Sequence, residues 1–428
     1  MEKKIKKTIK KRKPTLIKKG KVKKNESPFK KIYFEKDKIF KLKVKSDKPK
    51  IKTKRVFSKK DKKNSILKDV KKLTKVEKIK LERSIKNPIL IPRSYSWESQ
   101  AVFNPAVVLS NKIFHLFYRA LGDDGISRIG YASSKDGVNF YNRLSYPVYF
   151  LSEAEETKAH WPFTSPARAL YDRDLYKSGG GWGGCEDPRG VLIDGEVYLT
   201  LNIFNGWNNL GVAFTSIKEE DLLKKKWNWK SLKYLSHTGD RQKNWMLFPE
   251  KINDKFVVFH NLDKGNPNEV YITYTDKLDW RNMPTIKDAP DPQVLPDHIV
   301  AWHKRTRSAS APPIKTKYGW LLLYHAMDND GSDRYKLGAM LLDLKDPRKV
   351  ICRAGNPILE PDKWYENDWK PGIIYASGAV VKNGKLFVYY GGGDKYIGVA
   401  SIELDKLIEG MKKNTFVKLE KNKKLKIK

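Results

Sequence analysis

The sequence predicts an all-β protein, a five-bladed β-propeller preceded by a disordered lysine-rich N-terminal arm. From Asn87 onward helical periodicity is scarce, and strand-like runs rich in Val, Ile, Leu and aromatic residues recur between turn residues. These runs group into five similar units. A lead-in segment before the first unit also returns before the last. Blades that pack radially and protect their edges account for such repetition, which an all-β sandwich does not require.

Taken in chain order, residues 1–86 hold 37 Lys and Arg against 9 Asp and Glu, most of the formal net charge of +38. The basic residues come in blocks such as Lys10-Lys11-Arg12-Lys13, with few apolar residues between them. Such a stretch cannot bury enough surface to offset its ordering entropy. It reads as a disordered arm separable from the rest, either a solvated tail or an electrostatic contact to a polyanion such as RNA. Ile66, Leu67, Val70, Leu73, Val76 and Ile79 fall near helical spacing, which predicts a short helix near Ile66 to Leu81. Residues 87–408 are assigned to the propeller, and residues 409–428 to a basic C-terminal tail.

The five units each pair two strands across a turn. Ile113 to Arg119 is followed by Arg128 to Gly137, Val197 to Asn202 by Leu210 to Thr215, and Phe256 to His260 by Glu269 to Tyr274. Trp320 to His325 then precedes Leu337 to Leu342, and Leu386 to Gly391 precedes Ile397 to Ile402. A further short strand comes before each pair: Pro105 to Leu109, Arg189 to Ile193, Phe248 to Ile252, Pro312 to Lys315 and Gly378 to Val381. The repeated lead-in is Asn87-Pro88-Ile89-Leu90-Ile91-Pro92 with Trp97-Glu98, echoed by Asn356-Pro357-Ile358-Leu359-Glu360-Pro361 with Trp364 and Glu366. A closing ring would bring the two copies together.

Composition narrows the function classes. Two cysteines, Cys185 and Cys352, are too few for a disulfide framework or a CxxC metal site, which predicts a reducing, cytoplasmic setting. No apolar run approaches the length needed to span a bilayer, and the N-terminus lacks the apolar stretch of a signal peptide. The seven histidines are scattered without paired ligand spacing, so no metal or cofactor is expected. His160, Trp161 and Asp172 lie in a long insertion that ends in Gly179-Gly180-Gly181-Trp182-Gly183-Gly184. This glycine run lacks the helix and Lys-Ser/Thr of a nucleotide loop, and reads as a flap or a plain linker.

In a propeller, polar residues entering the innermost strands converge on the channel. The candidates are Asn104 and Arg119 from unit one, Glu186-Asp187-Pro188-Arg189 from unit two, Arg241, Lys243, Asn244 and Glu250 from unit three, His325 and Asp328 from unit four, and Asp394 from unit five. Asp187 taken singly is compatible with a turn residue paired to Arg189. Arg119 and Arg189 also fit structural ion pairs, and His325 a core histidine. Carboxylates and cations from several units, among many Trp and Tyr residues, are what sugar binding and glycosidic cleavage need.

Six ordered motifs sharpen this: Phe103-Asn104-Pro105-Ala106; Phe117-Tyr118-Arg119-Ala120; Glu186-Asp187-Pro188-Arg189; Lys243-Asn244-Trp245-Met246-Leu247-Phe248-Pro249-Glu250; Pro312-Pro313-Ile314 leading to Gly319-Trp320 and Tyr324-His325; and Tyr389-Tyr390-Gly391 leading to Asp394. On these motifs residues 87–408 resemble glycoside hydrolase family 130, the β-mannoside phosphorylases. The resemblance implies a five-bladed propeller and an inverting enzyme that cleaves β-mannosidic bonds in oligosaccharides, with inorganic phosphate as co-substrate and mannose 1-phosphate as product. It implies that Asp187 is the proton donor, acting through a hydroxyl of the mannosyl residue. Asn104, Arg119, Asp394 and Asp328 are expected at the sugar. Arg241, Lys243 and His325 are expected to hold phosphate, a dianion that must be desolvated and aimed. The sequence departs from the family pattern at His260-Asn261-Leu262, where His-Arg-Pro is usual, and at Thr306, where a lysine is common and Arg305 and Arg307 flank the position. Two alternatives stay open: a phosphate-independent hydrolase with Glu250 activating water, and a non-catalytic glycan-binding propeller tethered to a polyanion.

Overall fold

In the computed structural model the described residues are 79–151, 181, 183–205, 210–237, 240–261, 270–284, 305–327 and 334–413. The chain divides into two compact units, Met1–Lys63, which lies outside the described residues, and Asn64–Lys428. The described part is mostly β-strand. No described helix is long and apolar enough to cross a membrane.

After β1 (Glu82–Arg83), the strands form five antiparallel groups. Group one is β2 (Ala101–Ser110), β3 (Ile113–Leu121), β4 (Ile126–Ser134) and β5 (Asn142–Arg143). Group two is β6 (Gly183–Ile193), β7 (Glu196–Asn205), β8 (Leu210–Lys218) and β9 (Lys233–Tyr234). Group three is β10 (Met246–Leu247), β11 (Phe256–Asn261) and β12 (Val270–Thr275). Group four is β13 (Arg305–Ala309), β14 (Ile314–Thr316), β15 (Gly319–Met327), β16 (Lys336–Leu342) and β17 (Val350–Arg353). Group five is β18 (Ile374–Lys382), β19 (Lys385–Gly392) and β20 (Tyr396–Glu403), with β1 added outside β20. Groups one and two touch through a short parallel pairing, Ile126 with Gly183 and Ser127 with Gly184.

Turn chemistry sets these hairpins. Asn111-Lys112, Asp194-Gly195, Asn253-Asp254 and Asn383-Gly384 all have positive φ at both positions and join the first strand segment of their group to the second. Such pairs match the right-handed twist of the strands they connect. Three groups also share a cross-strand device. Tyr118, Tyr324 and Tyr390 lie opposite Gly130, Gly338 and Gly398, and a Cβ at any of these glycines would run into the tyrosine ring.

Both faces of the central strands are buried, so they read as nearly continuous apolar runs rather than alternating ones. On β15, Trp320, Leu322, Tyr324 and Ala326 pack with Met246, Phe248 and Phe259 of group three. The alternate residues Leu321 and Leu323 pack with Ile374, Leu386 and Val388 of group five. This is the two-residue period of a strand applied to two partners at once. Each fully buried Leu, Ile, Val, Phe or Met among them contributes about 1.5–3 kcal/mol. Further clusters join group one to two, two to three, and five back to one, the last through Leu116 and Tyr118 against Tyr389, Ile397 and Val399.

The lead-in echo corresponds to one repeated local structure. Leu90 bridges Ile397 at the start of β20, and Leu359 bridges Leu337 at the start of β16. Each lead-in then ends in a short helical turn whose glutamate is fully buried. Glu98 accepts from Tyr118 Oη at 2.9 Å and from Arg143 at 2.6 Å. Glu366 accepts from Tyr390 Oη at 2.9 Å and from Arg83 Nε at 2.8 Å. A third copy, Tyr146-Pro147-Val148-Tyr149, bridges Ile129 of β4, and sequence comparison missed it because its flanking residues differ.

Four sequence expectations need correction, and a fifth falls mostly outside the described residues. The body does not begin at Asn87. Ile79 and Leu81 are buried, Asn356 bonds both backbone groups of Ile79, and β1 with Arg83 completes group five. At the other end a helix over 404–413 buries Leu407, Ile408 and Met411, so the body also runs past residue 408. The predicted helix near Ile66 to Leu81 lies outside the described residues up to position 78, and 79–81 are not helical. In unit three the first strand is Met246–Leu247, because Pro249 has no N–H to extend the ladder. In unit four, Pro312-Pro313 likewise splits the edge, so β13 precedes them and β14 follows, both paired to β15.

Candidate active site

The first strands of groups one and two each carry a β-bulge of one extra residue, between Phe103 and Ala106 and between Glu186 and Arg189. The bulged residues are Asn104 and Asp187, with φ of 46° and 48°. Asn and Asp tolerate this left-handed region better than other side-chain-bearing residues, and the proline after each lacks an N–H that the broken ladder would strand. The strand pattern thus supplies the rigid mount, and the bulge re-aims one polar side chain per strand toward its neighbour. Gly391 makes room for this: a Cβ there would collide with the Asn104 amide.

Asn104 Nδ2 donates to Asp187 Oδ1 at 2.8 Å, and Arg119 Nη1 reaches the same oxygen at 3.2 Å. Asn202 Nδ2 donates to Oδ2 at 3.3 Å. Asn202 is fixed in turn, because its Oδ1 accepts from the Asn244 backbone at 2.7 Å and its Nδ2 also donates to Asn244 Oδ1 at 3.2 Å. Arg119 spans two carboxylates, with Nη2 2.9 Å from Glu186 Oε1, and its guanidinium lies over the Phe103 ring. Lys243 Nζ bonds the other Glu186 oxygen at 2.8 Å. Asn104 Oδ1 is buried against Gly391 and has no donor among the described residues.

Asp187 is held below the ordinary carboxylate range. Burial pushes its pKa up, but Arg119, Lys243 and the Asn104 amide outweigh that. Arg119 is held firmly charged for the reciprocal reason: burial opposes its charge, and Glu186, Asp187 and Asp394 overcome it. Asp394, in the β19–β20 turn with φ of 52°, pairs with Lys370 at 2.8 Å. Arg189 is buried and donates to the backbone oxygens of Ser310 and Asp187 and to Tyr375 Oη, at 2.9, 3.1 and 2.8 Å. Arg119, Arg189, Lys243 and Lys370 therefore stand against Glu186, Asp187 and Asp394, an excess of positive charge suited to an anion.

The structure brings together Asn104, Arg119, Asp187, Lys243 and, through its field on Arg119, Asp394. It does not support three expectations. His325 is fully buried; its Nε2 accepts from the Ala376 backbone at 3.0 Å, its Nδ1 lies 3.3 Å from Ser308 Oγ, and its ring stacks on Tyr375 at 4.4 Å. A ring nitrogen that accepts an N–H is unprotonated, so His325 is a neutral core residue here, not a cation for phosphate. Glu250 pairs with Lys315 at 2.5 Å. Lys315 and Pro249 line a cavity of about 400 Å³ with the later halves of β2, β6 and β18, whereas the Asp187 cluster uses their earlier halves. Glu250 therefore cannot activate water beside Asp187. Arg189 serves the structure, although its partners are carbonyls and a hydroxyl and not the blade carboxylates expected. Arg241 is exposed with φ of 49° in the segment before Lys243, and Asp328 lies outside the described residues.

Sequence reading singled out neither Asn202 nor Lys370 nor Tyr375. Asn202 had a signal: it pairs with Glu186 as Arg119 pairs with Phe103, the last rung before the bulge in both groups. Lys370 and Tyr375 lie just before and in β18 and had none. Among the described residues no group of three or more His, Cys, Asp or Glu side chains is placed to hold a metal ion.

Comparison with known proteins identifies the family. The glycoside hydrolase family 130 model, described as beta-1,4-mannooligosaccharide phosphorylase, matches residues 175–413. A 1,2-beta-oligomannan phosphorylase of Thermoanaerobacter sp. (strain X514) is 36% identical over 337 residues, covering 76% of this chain and 98% of that protein. A beta-1,2-mannobiose phosphorylase of the same organism is 35% identical, covering 77% of this chain and 99% of that protein. Among solved structures, the beta-1,2-mannobiose phosphorylase of Listeria innocua superposes with a TM-score of 0.58 at 21% identity, covering 78% of this chain and 99% of that one. With the family model spanning more than half of the sequence and the two Thermoanaerobacter proteins matched almost end to end, the chain belongs to glycoside hydrolase family 130, the mannoside phosphorylases.

Proposed function

We propose that the body is a five-bladed β-propeller that cleaves β-mannosidic bonds by phosphorolysis, with inversion, releasing mannose 1-phosphate. The ring reading rests on five apolar clusters that join the groups in cyclic order and on lead-ins that dock each on the preceding group. The catalytic reading rests on one observation above all: Asp187 is a buried carboxylate fixed by Asn104, Arg119 and Asn202, with Lys243 close by.

In this reaction an oxygen of phosphate forms a bond to C1 as the C1–O glycosidic bond breaks, and Asp187 delivers a proton, through a mannosyl hydroxyl, to the departing oxygen. One carboxylic acid suffices because phosphate is itself the nucleophile. Glu186 has both oxygens in ion pairs, Asp394 pairs with Lys370 and Glu250 with Lys315, so each of the other carboxylates named here is engaged by a cation. Asp187 must hold a proton to act, and phosphate supplies the means: a dianion beside Lys243 offsets the cations that keep Asp187 ionised. Asn104 and Asp394 are the residues assigned to the sugar. Lys243 and Arg241 are offered to phosphate.

The names of the two Thermoanaerobacter relatives favour a β-1,2 linkage. Incubation with β-1,2- and β-1,4-mannobiose in phosphate buffer tests this. Mannose 1-phosphate is expected from the first at a rate well above the second, and the reverse order would overturn the linkage assignment.

A further inference from the structure

The site contains a second carboxylate that the reaction as drawn does not use. Glu186 is fully buried, and its two oxygens are divided between two cations, Arg119 Nη2 at 2.9 Å and Lys243 Nζ at 2.8 Å. The same guanidinium presents Nη1 to Asp187 at 3.2 Å. Glu186 and Asp187 are consecutive, yet both meet Arg119, because the bulge falls between Glu186 and Arg189 and breaks the alternation that would send them to opposite faces. Lys243 comes from another group, and its ammonium lies over the Phe204 ring of β7. Glu186 therefore ties a residue of group one to the segment leading into group three, at the place where Asp187 needs both.

We propose that Glu186 is a positioning residue: it holds Arg119 and Lys243 beside Asp187 and cancels part of their charge, so that Asp187 can carry the proton it delivers. This rests on the phosphorolysis reading above. The charged and titratable groups that face Asp187 are Arg119 from β3, Arg189 from β6, Lys243 before β10 and Tyr375 from β18, with Asp394 and its partner Lys370 acting through Arg119. Of the two carboxylates bonded to Arg119, Glu186 is the one without a role in proton transfer. Removing its charge leaves the fields of Arg119 and Lys243 on Asp187 less balanced, with Asp394 the other carboxylate acting on Arg119. The carboxylate form of Asp187 is then favoured further, while an incoming phosphate dianion meets a more positive site. Turnover and phosphate affinity should move in opposite senses, which a general loss of structure would not produce.

Glu186→Gln keeps the shape and removes the charge. The rate of phosphorolysis of β-1,2-mannobiose is measured against pH and phosphate concentration. The alkaline limb of kcat/KM is expected to move down by about one pH unit, and KM for phosphate to fall severalfold. Lys243→Met removes a cation and retains the stem, so the limb should move up and KM for phosphate should rise. If Glu186→Gln does not fold, the same limb is read in Glu186→Ser, which also removes the charge. Limbs that stay within about 0.2 pH units of wild type in the folded variants overturn the proposal. Wild-type turnover that needs no phosphate would overturn the phosphorolysis reading instead, and the same limb in the hydrolytic rate would still report on Glu186. Should wild type show no turnover, NMR titration of the Asp187 carboxyl carbon, identified by its loss in Asp187→Asn, reads the same opposed shifts directly.

Discussion

Replacing Asp187 by Asn keeps the size of the side chain and removes its proton. General acid catalysis by a positioned group contributes roughly 10²- to 10⁴-fold, or about 3–5 kcal/mol of barrier. The geometry says what else changes. The new amide oxygen can still accept from Asn104 at 2.8 Å and Arg119 at 3.2 Å, but its NH₂ then meets the Asn202 NH₂ at 3.3 Å, donor against donor. Asn202 cannot turn over to help, because its oxygen already accepts from the Asn244 backbone and its nitrogen serves Asn244 Oδ1. One unsatisfied buried contact costs about 1–3 kcal/mol of stability. The assay is mannose 1-phosphate release from β-1,2-mannobiose, with a thermal melt alongside. The expected result is at least a 100-fold loss of kcat, a melting temperature lower by a few degrees, and a KM for phosphate no higher than wild type, since a negative charge has left the site. A variant that retained more than about a tenth of the rate would refute the assignment of Asp187 as acid.

Three further outcomes follow from the same contacts. A chain starting at Asn87 loses β1, Ile79, Leu81 and the Arg83 partner of fully buried Glu366, so it should melt several degrees below a chain starting at Ile79; equal melting temperatures would show that residues 79–86 do not belong to the body. Glu250→Gln should leave turnover within about twofold of wild type, because it breaks only a half-exposed pair with Lys315; a hundredfold loss would restore Glu250 as a base. Stability should fall on acidification in two stages. Burial holds His115 and His260 neutral down to about 4 and about 3, so from the ordinary histidine value of 6.5 downward the unfolded chain takes up protons that the folded one refuses. Below the ordinary value of 3.8, Asp187 adds its share, which is present above that pH and lost as pH falls through its lower folded value. Melting curves of wild type and Asp187→Asn should therefore converge in acid, and a constant gap would contradict the sign.

The sequence reported the repeated parts well, because repetition is visible without contacts. The central strand of every unit and the paired lead-ins could be read from it, and the Asn104 and Asp187 motifs meet in one cluster. What it concealed depends on relations between units. Glu186 and Asp187 are neighbours in sequence, and only the bulge decides that both meet Arg119. Glu250 looks like a channel acid until Pro249 ends the strand and its side chain turns to Lys315. His325 sits in a motif with a cationic reputation, but the Ala376 N–H from the next group fixes it neutral. The arm boundary failed for a compositional reason: Arg83 and Lys86 continue the basic pattern, while Ile79 and Leu81 are too few apolar residues to mark a strand that docks on the far end of the chain.

The central claim is that phosphate is the nucleophile at Asp187. The most direct measurement is wild-type turnover of β-1,2-mannobiose followed by NMR, with and without phosphate. The account predicts α-mannose 1-phosphate and free mannose in equal amounts when phosphate is present, and no cleavage without it. Release of mannose alone, at a rate independent of phosphate, would contradict it.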